Sequence, residues 1–322
     1  MRGPVLLVAA LGLWAVLDAV NKLLADAYPV EQAVGVRFAA LLALVLLARL
    51  VRPGLGGPLA TRRPLAQVAR GAAMLGSAGG FFLALRDIPL AEGYLVYFTA
   101  PFLVLGLFAL FLGERAPPRA WAWCGVGFVG VLLALWPGLS AGLAGGGGDG
   151  GGGPGPLAAY AWALFGTLSY AAVMTLNRSL RHEHGPARLL VWSSVPPLLL
   201  LAPFALASWV PPAPGDLALM LLNGVLAGAA TLCLAAAFRH ASAARLAPLE
   251  FSALAWAVLL DAALWSVLPG PWTLAGAAVV VLAGLMAQRG ASSSGVAPVA
   301  SGRAPPSRTH PPGDARPLDP IS

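Results

Sequence analysis

Ten apolar stretches of about 20 residues each constrain the fold of this chain more than any other feature. A helix rises about 1.5 Å per residue, so each stretch can cross the roughly 30 Å hydrocarbon core of a bilayer. The sequence therefore predicts an all-α integral membrane protein with ten transmembrane helices. The predicted spans are residues 4–24, 32–50, 66–85, 91–112, 120–137, 157–177, 188–208, 217–238, 244–266 and 271–288.

Composition indicates that the lipid bilayer is a partner of the chain. Of the 322 residues, 58% are hydrophobic and 10% are charged, whereas soluble domains carry about 25% charged residues. The net charge is +7, but the basic residues form no cluster, so we expect no nucleic acid partner. Cys124 and Cys233 lie in separate apolar runs, which favours neither a disulfide nor a metal site.

The first apolar stretch also has features of a secretory signal peptide. It combines Arg2 with an apolar run and an A-x-A pattern from Ala25 to Ala27. Asp18 and Lys22 interrupt the apolar region, which is unusual for such a peptide. We therefore expect the stretch to remain as the first span, whereas cleavage would leave nine.

The arginines predict the orientation of the chain, because short cytoplasmic loops collect basic residues. A cytoplasmic N-terminus places seventeen of the nineteen arginines on or near the cytoplasmic side. Only Lys22 and Arg86 then fall outside, and Arg37 lies within a helix. The predicted location is the inner (plasma) membrane, with both termini in the cytoplasm.

A glycine-rich linker predicts how the chain is divided. Residues 138–156 have too few apolar side chains to form a packed core. They separate a first five-helix unit, residues 1–137, from a second, residues 157–289. Residues 290–322 are rich in Pro, Ser and Arg and are expected to form a disordered cytoplasmic tail.

The two units are related by an internal repeat. WAVLDAVNK, Trp14–Lys22, aligns with YAAVMTLNR, Tyr170–Arg178, and the small-residue helix from Gly71 aligns with the one from Gly224. Because five is odd, successive units enter the membrane from opposite faces, which gives an inverted repeat. Such a repeat predicts alternating access to a central site.

Two further stretches resemble the repeat of the EamA-type transporters, in the drug/metabolite transporter superfamily. Tyr94–Leu135 combines a mid-helix proline (Pro101), the sequence LGE, a short basic loop and a glycine-spaced helix. Ala244–Met286 is similar, except that Val267-Leu268-Pro269 replaces Gly-Glu. The resemblance covers about residues 4–288. It implies a ten-helix secondary transporter of a small organic metabolite, often an exporter of amino acids or metabolites and sometimes an importer.

Charges within the spans are the first candidates for a substrate site, because each is costly unless paired or hydrated. Asp18 and Arg37 lie at equal predicted depth, roughly 9 Å from the outer surface at 1.5 Å per residue. They could form a static bridge between helices one and two, or meet a charged substrate group. Lys22, four residues after Asp18, could compete for the same carboxylate.

A third charge, Glu250, lies six residues into helix nine and is the candidate for proton coupling. Arg245 is its near neighbour from the surface. Asp261 lies near the outer end of the same helix, where we expect interfacial solvation.

Aromatic residues near mid-span either pack between helices or line a cavity. They complete the predicted substrate-binding set, which is Trp14, Asp18, Arg37, Tyr97, Tyr170, Trp192, Glu250 and Trp256.

Other classes of function have weaker support. GVGFVG, Gly125–Gly130, matches a dinucleotide-binding spacing, but no strand precedes it. The four histidines lie in loops or the tail and form no HExxH pattern, so an intramembrane enzyme is the weaker alternative. A non-transporting scaffold would not need an inverted repeat. We expect no enzyme activity, cofactor or metal, and the oligomeric state is not defined by the sequence.

Overall fold

The computed structural model describes residues 2–113, 118–143, 155–180, 183, 185–241 and 246–293, and the regular elements there are all helical. A 3-10 helix, Ala247–Phe251, directly precedes the α-helix that begins at Ser252. The α-helices are α1 Arg2–Leu24, α2 Val30–Val51, α3 Pro64–Asp87, α4 Leu90–Tyr97, α5 Ala100–Leu112, α6 Pro118–Leu143, α7 Gly155–Ser179, α8 Pro186–Ala207, α9 Pro214–His240, α10 Ser252–Trp265 and α11 Pro271–Ser293.

Eight helical segments of the described chain are long and apolar enough to cross a membrane. They are α1, α2, α3, the α4–α5 pair (Leu90–Phe111), α6, α7, α8 and α9. Within α11, the apolar segment Pro271–Met286 is shorter than these eight. The helix α10 has only 14 residues. The chain is therefore a multi-pass helical membrane protein.

Two of the ten predicted spans are interrupted. The span predicted at 91–112 is split between α4 and α5, because Pro101 has no N–H to continue the helix. At the break, the Thr99 hydroxyl donates to the Val96 carbonyl at 2.7 Å. The span predicted at 244–266 begins as a 3-10 helix before α10.

The helices also extend beyond their predicted ends. α6 continues through Pro137 to Leu143, and α7 starts at Gly155, so both enter the segment expected to be a linker. α11 continues to Ser293, into the expected tail. The rest of the linker and of the tail, together with Glu114 and Arg245, lies outside the described residues.

Contacts along α1 and α9 define the two ends of the bundle. Gly3 lies beside Ala241, where an added Cβ would come within 2.7 Å of the alanine Cβ. The Asn223 amide donates to Asn21 Oδ1 at 2.8 Å, and the hydroxyl of Tyr28 donates to Asp216 at 2.7 Å. The two helices are therefore antiparallel. We call the end where α1 begins the proximal end and the end where α1 finishes the distal end.

Helix packing follows a regular scheme. α1 packs on α9, and α7 packs on α3. α2 contacts α9, and α3 contacts α8. α2 also packs on α8, α6 on α11 and α4 on α10.

Glycines allow the closest of these approaches. A Cβ added to Gly71 would lie 2.8 Å from the Pro196 ring on α8. A Cβ added to Gly224 would lie 2.5 Å from Ala40 Cβ on α2. In the GVGFVG stretch, a Cβ on Gly130 would lie 2.9 Å from Val279 on α11. These glycines serve helix packing, which agrees with the rejection of a nucleotide-binding turn.

Candidate functional site

Asp18 on α1 is hydrogen-bonded to another helix. It accepts a hydrogen bond of 2.9 Å from the hydroxyl of Tyr94 on α4. Trp14, Asp18 and Asn21 follow at i, i+4 and i+7, so they share one face of α1. This face is the starting point of the candidate site.

The expected bridge between Asp18 and Arg37 is not formed as an ion pair within 4.0 Å among the described residues. The two charges still interact electrostatically. The Arg37 guanidinium instead lies 5.8 Å from the ring centre of Trp14 and 5.4 Å from that of Phe38. Tyr94 competes for Asp18, and the aromatic faces hold the cation. The structure therefore corrects the direct-bridge interpretation.

The alternative pair of Lys22 with Asp18 is also wrong. The Lys22 ammonium donates to the Ile88 carbonyl at 2.7 Å and lies 5.0 Å from the ring centre of Trp265. The flexible side chain thus extends towards the distal end and leaves Asp18 to Tyr94.

Asp261 is buried rather than solvated at the interface, and only 1% of it is exposed. Its carboxylate accepts hydrogen bonds from the N–H groups of Leu90 and Ala91 at 3.1 and 2.8 Å. These two groups belong to the first turn of α4, where backbone donors have no partner within the helix. The expectation of interfacial solvation is therefore wrong, because Asp261 caps α4 from α10.

Three tyrosines lie between Asp18 and Glu250, and we call them the tyrosine series: Tyr94, Tyr97 and Tyr170. The ring centres of Tyr94 and Tyr97 are 6.3 Å apart, and those of Tyr97 and Tyr170 are 4.9 Å apart. Glu250 interacts electrostatically with Tyr97 and Tyr170 and is itself exposed. The tyrosine series therefore provides polar hydroxyl groups between Asp18 on α1 and Glu250 in the 3-10 helix.

The two remaining tryptophans of the predicted set differ in position. The Trp256 indole N–H donates to the Val8 carbonyl at 3.2 Å, and its ring packs where a Cβ on Gly12 would lie 2.9 Å away. Trp192 donates to the Leu59 carbonyl at 3.0 Å, near the proximal end. Trp256 therefore borders the central site, whereas Trp192 lies apart from it.

The structure thus brings together most of the predicted set around α1. Trp14, Asp18 and Arg37 form one group, and Tyr97, Tyr170 and Glu250 form another. Their roles in binding substrate remain predictions.

Sequence reasoning missed three residues of this region. Tyr94 lies three residues before Tyr97, so the shared helix face could have indicated it. Asn21 and Asn223 are buried, with 2% and 1% exposure. Asn21 was visible in the repeat alignment, but nothing in the sequence pattern indicated that Asn223 would face it.

A separate cavity of about 590 Å³ lies at the proximal end. There, Glu183 accepts hydrogen bonds from the Thr61 hydroxyl, the Arg62 backbone N–H and the Gln67 amide. The bond from Thr61 and the other donors hold the pKa of Glu183 at about 2, well below its ordinary value of 4.5. The cavity is lined by Ala60, Thr61, Arg62, Arg63, Ser179, Leu180, Glu183 and Arg188.

Arg70 lies beside this network and is only 2% exposed. It donates to Gln67 at 3.1 Å, to Asn177 at 3.4 Å and to the Leu189 carbonyl at 3.1 Å. It therefore ties α3 to α7 and α8.

These features define a class of protein before any comparison with known sequences. Polar and charged side chains face one another inside a bundle of membrane-crossing helices, and such residues mark solute pathways in membrane proteins. A family model described as the EamA-like transporter family matches residues 1–136 and again residues 157–287. The chain belongs to this family of transporters.

Several relatives are named as transporters. A riboflavin transporter of Rhizobium johnstonii is 29% identical over 64% of this chain and 64% of its own length, slightly less than two thirds. An S-adenosylmethionine uptake transporter of Rickettsia felis is 23% identical over 70% of this chain and 72% of its own. The pseudopaline exporter CntI of Pseudomonas aeruginosa is 26% identical over 63% and 67%, respectively.

A solved crystal structure has a similar fold. It is 21% identical in sequence, with a TM-score of 0.62, and the match covers 90% of this chain and 97% of the other. This likeness shows a shared fold.

Proposed function

We propose that the protein is a secondary transporter that exports a small organic metabolite across the inner membrane by alternating access. It has ten spans in two inverted five-helix repeats, with the α4–α5 pair as span four and the 3-10 helix with α10 as span nine. The proximal end faces the cytoplasm, together with both termini.

The observation that carries this proposal is that helix contacts come in pairs related by exchange of the two halves. In the repeat, α7, α8 and α9 are the counterparts of α1, α2 and α3. When each helix is replaced by its counterpart, the contact of α1 with α9 becomes the contact of α7 with α3, and both contacts are present. The contact of α2 with α9 likewise becomes that of α8 with α3. The aligned glycines Gly71 and Gly224 lie at the latter two crossings. An inverted repeat explains this pairing.

Polar contacts between the halves at both ends support the alternating-access part of the proposal. At the proximal end, Glu183 joins the segment between α2 and α3. At the distal end, the Gln32 amide donates to the Val210 carbonyl at 2.6 Å, and the Ser208 hydroxyl donates to Glu31 at 2.5 Å. Breaking one set while keeping the other would open the centre to one side only.

The topology is tested with reporter tags placed after Pro53 and within the glycine run at Gly145. We expect the first tag in the cytoplasm and the second outside. Both tags on one side would refute the ten-span inverted arrangement.

Transport is tested by comparing metabolite pools of a deletion strain and an overexpressing strain, followed by assays of the changed compound in proteoliposomes. An exporter lowers the intracellular pool and raises the extracellular pool when overexpressed. A compound chemically altered by the protein would indicate catalysis, and an unchanged distribution would indicate a scaffold.

Import is the second candidate, because relatives are named as uptake transporters of S-adenosylmethionine. The same strains separate the two directions. An importer would raise the intracellular pool when overexpressed.

Proton coupling through Glu250 is part of the proposal. The exposed carboxylate and its electrostatic contact with Tyr97 and Tyr170 support it. Glu250→Gln should make transport independent of an imposed pH gradient, whereas Asp87→Asn, at an exposed position outside the site, should not. Transport by Glu250→Gln that follows the gradient as in the wild type would exclude this role.

A further inference from the structure

Arg37 on α2 is a buried cation within the helix bundle. Arg37 is 5% exposed, and its Nε has no hydrogen-bond partner among the described residues. The guanidinium lies near the rings of Trp14 and Phe38. Aromatic faces attract a cation electrostatically, but they do not replace the oxygen atoms that a guanidinium fork normally binds.

The carboxylate of Asp18 carries the opposite charge, but it does not bind the Arg37 guanidinium directly. Asp18 interacts with Arg37 electrostatically, but the two form no ion pair within 4.0 Å in the part of the chain that the structure describes. Asp18 instead accepts the hydroxyl of Tyr94. A buried guanidinium without a bonded anion is unfavourable, so an anion from outside the chain would be stabilised there.

Two more buried polar atoms, on α1 and α9, belong to the same part of the bundle. Among the described residues, Asn21 Nδ2 and Asn223 Oδ1 have no hydrogen-bond partner within 3.5 Å, and Asn21 also interacts with the Asp18 carboxylate at longer range. Asn21 shares its helix face with Trp14, which lies beneath the guanidinium. Asn223 precedes Gly224, where an added Cβ would lie 2.8 Å from the Arg37 carbonyl. The three unpartnered atoms therefore belong to one neighbourhood of α1, α2 and α9.

These atoms favour a particular ligand chemistry. Arg37 and Asn21 offer N–H donors, whereas Asn223 donates to Asn21 and presents its amide oxygen, which is an acceptor. A flat or tetrahedral oxyanion with two or more oxygens matches the guanidinium fork, and charge-assisted hydrogen bonds of this kind are strong. We infer that Arg37 and Asn21 form a subsite for the carboxylate or phosphate group of the cargo, with Asn223 holding the Asn21 amide in place, an inference that rests on the proposed transport function.

Binding to purified full-length protein tests this inference directly. The probe is a defined equimolar mixture of metabolites, one half organic carboxylates and phosphomonoesters and the other half neutral or cationic compounds. After rapid desalting, retained compounds are identified by mass spectrometry. We expect the wild type to retain compounds from the anionic half, and Arg37→Gln to retain them roughly tenfold less. The identity of the retained compounds distinguishes carboxylate from phosphate.

Control variants separate charge from folding. Arg86→Gln also removes one positive charge, at a position whose side chain is 48% exposed and faces Asp26, and it should retain anions as the wild type does. Asn21→Leu replaces the amide with a side chain of similar volume and leaves Arg37 unchanged. This variant should retain anions several-fold less than the wild type. It provides the test if Arg37→Gln does not fold.

The outcomes distinguish this inference from the function on which it depends. Retention of neutral or cationic compounds alone would overturn the anionic subsite and leave the transporter proposal intact. Equal retention of anions by Arg37→Gln and wild type would do the same. A protein that retains no compound and moves no organic solute in proteoliposomes would overturn both.

Discussion

Asn223 donates to Asn21 Oδ1 at 2.8 Å, and the corresponding contact in the other half is the bond from Arg70 to Asn177 at 3.4 Å. The repeat places Asn21 over Asn177, and Arg70 and Asn223 each precede an aligned glycine. One contact joins α1 to α9 towards the distal end, and the other joins α7 to α3 towards the proximal end. Arg70 makes two further hydrogen bonds, to Gln67 and Leu189, so the proximal contact has more bonds.

The first prediction concerns this difference between the ends. Arg70→Met removes three hydrogen bonds and should favour opening at the proximal end. A cysteine introduced by Leu180→Cys, at a buried position in the lining of the proximal cavity and in a background of Cys124→Ser and Cys233→Ser, should then react several-fold faster with a membrane-impermeant thiol reagent. Arg62→Met, which removes a cation lining the same cavity and keeps the backbone bond to Glu183, is the control. Equal labelling rates in both variants would contradict the prediction.

The second prediction concerns the pH dependence of stability. The folded pKa of Glu183 is about 2, below its ordinary value of 4.5. A depressed pKa means that the carboxylate stabilises the folded protein above pH 4.5 and loses this effect as the pH falls towards 2. Glu183→Gln should therefore lower the Tm at pH 7, and its difference from the wild type should shrink between pH 4.5 and 2.

Thr61→Val provides the matching test, because it removes the donor with the largest effect on Glu183. It should reduce the same pH-dependent stability in part. A constant difference between wild type and Glu183→Gln across this pH range would show that the carboxylate does not act through its charge.

The third prediction contrasts two glycines within helices. At Gly71, an added Cβ would lie 2.8 Å from the rigid Pro196 ring and 2.9 Å from the Trp192 carbonyl, so Gly71→Ala should destabilise by about 1–3 kcal/mol. At Gly125, an added Cβ has no atom within 4 Å, so Gly125→Ala should be neutral or stabilise by about 0.5–1 kcal/mol. Unfolding in detergent measures both free energies, and changes of the same sign would contradict the assigned packing.

The fourth prediction tests the cap of α4. Asp261→Ala removes the acceptor of two backbone N–H groups and should cost about 1–2 kcal/mol of stability. Asp87→Ala, at an exposed position, should change stability by less than about 0.5 kcal/mol. Similar losses in both variants, measured by thermal unfolding, would argue against the cap.

The sequence predicted the helical membrane class and the family, because both depend on patterns that extend along the whole chain. Apolar length and the EamA-like features are of this kind. The partners of individual charges were less predictable. Asp18 and Arg37 were correctly placed near each other, but the hydroxyl of Tyr94 competes for Asp18, and that contact depends on how α4 packs against α1.

Asp261 illustrates the same limit. Its position near the outer end of predicted helix nine suggested solvation at the membrane–water interface. Its actual partners are backbone groups of α4, about 170 residues away in the sequence. Backbone donors at a helix start have no sequence signature of their own. The identity of such a partner therefore requires the three-dimensional arrangement of the helices.

The interruptions of the two broken spans contact each other. Phe98, between α4 and α5, lies 5.3 Å from Phe251, the last residue of the 3-10 helix before α10, measured between ring centres. At a break in a helix, the two helical segments can change the angle between them. Because the two helix breaks are in contact, bending of one span would displace the other. The two halves of the protein would therefore move together.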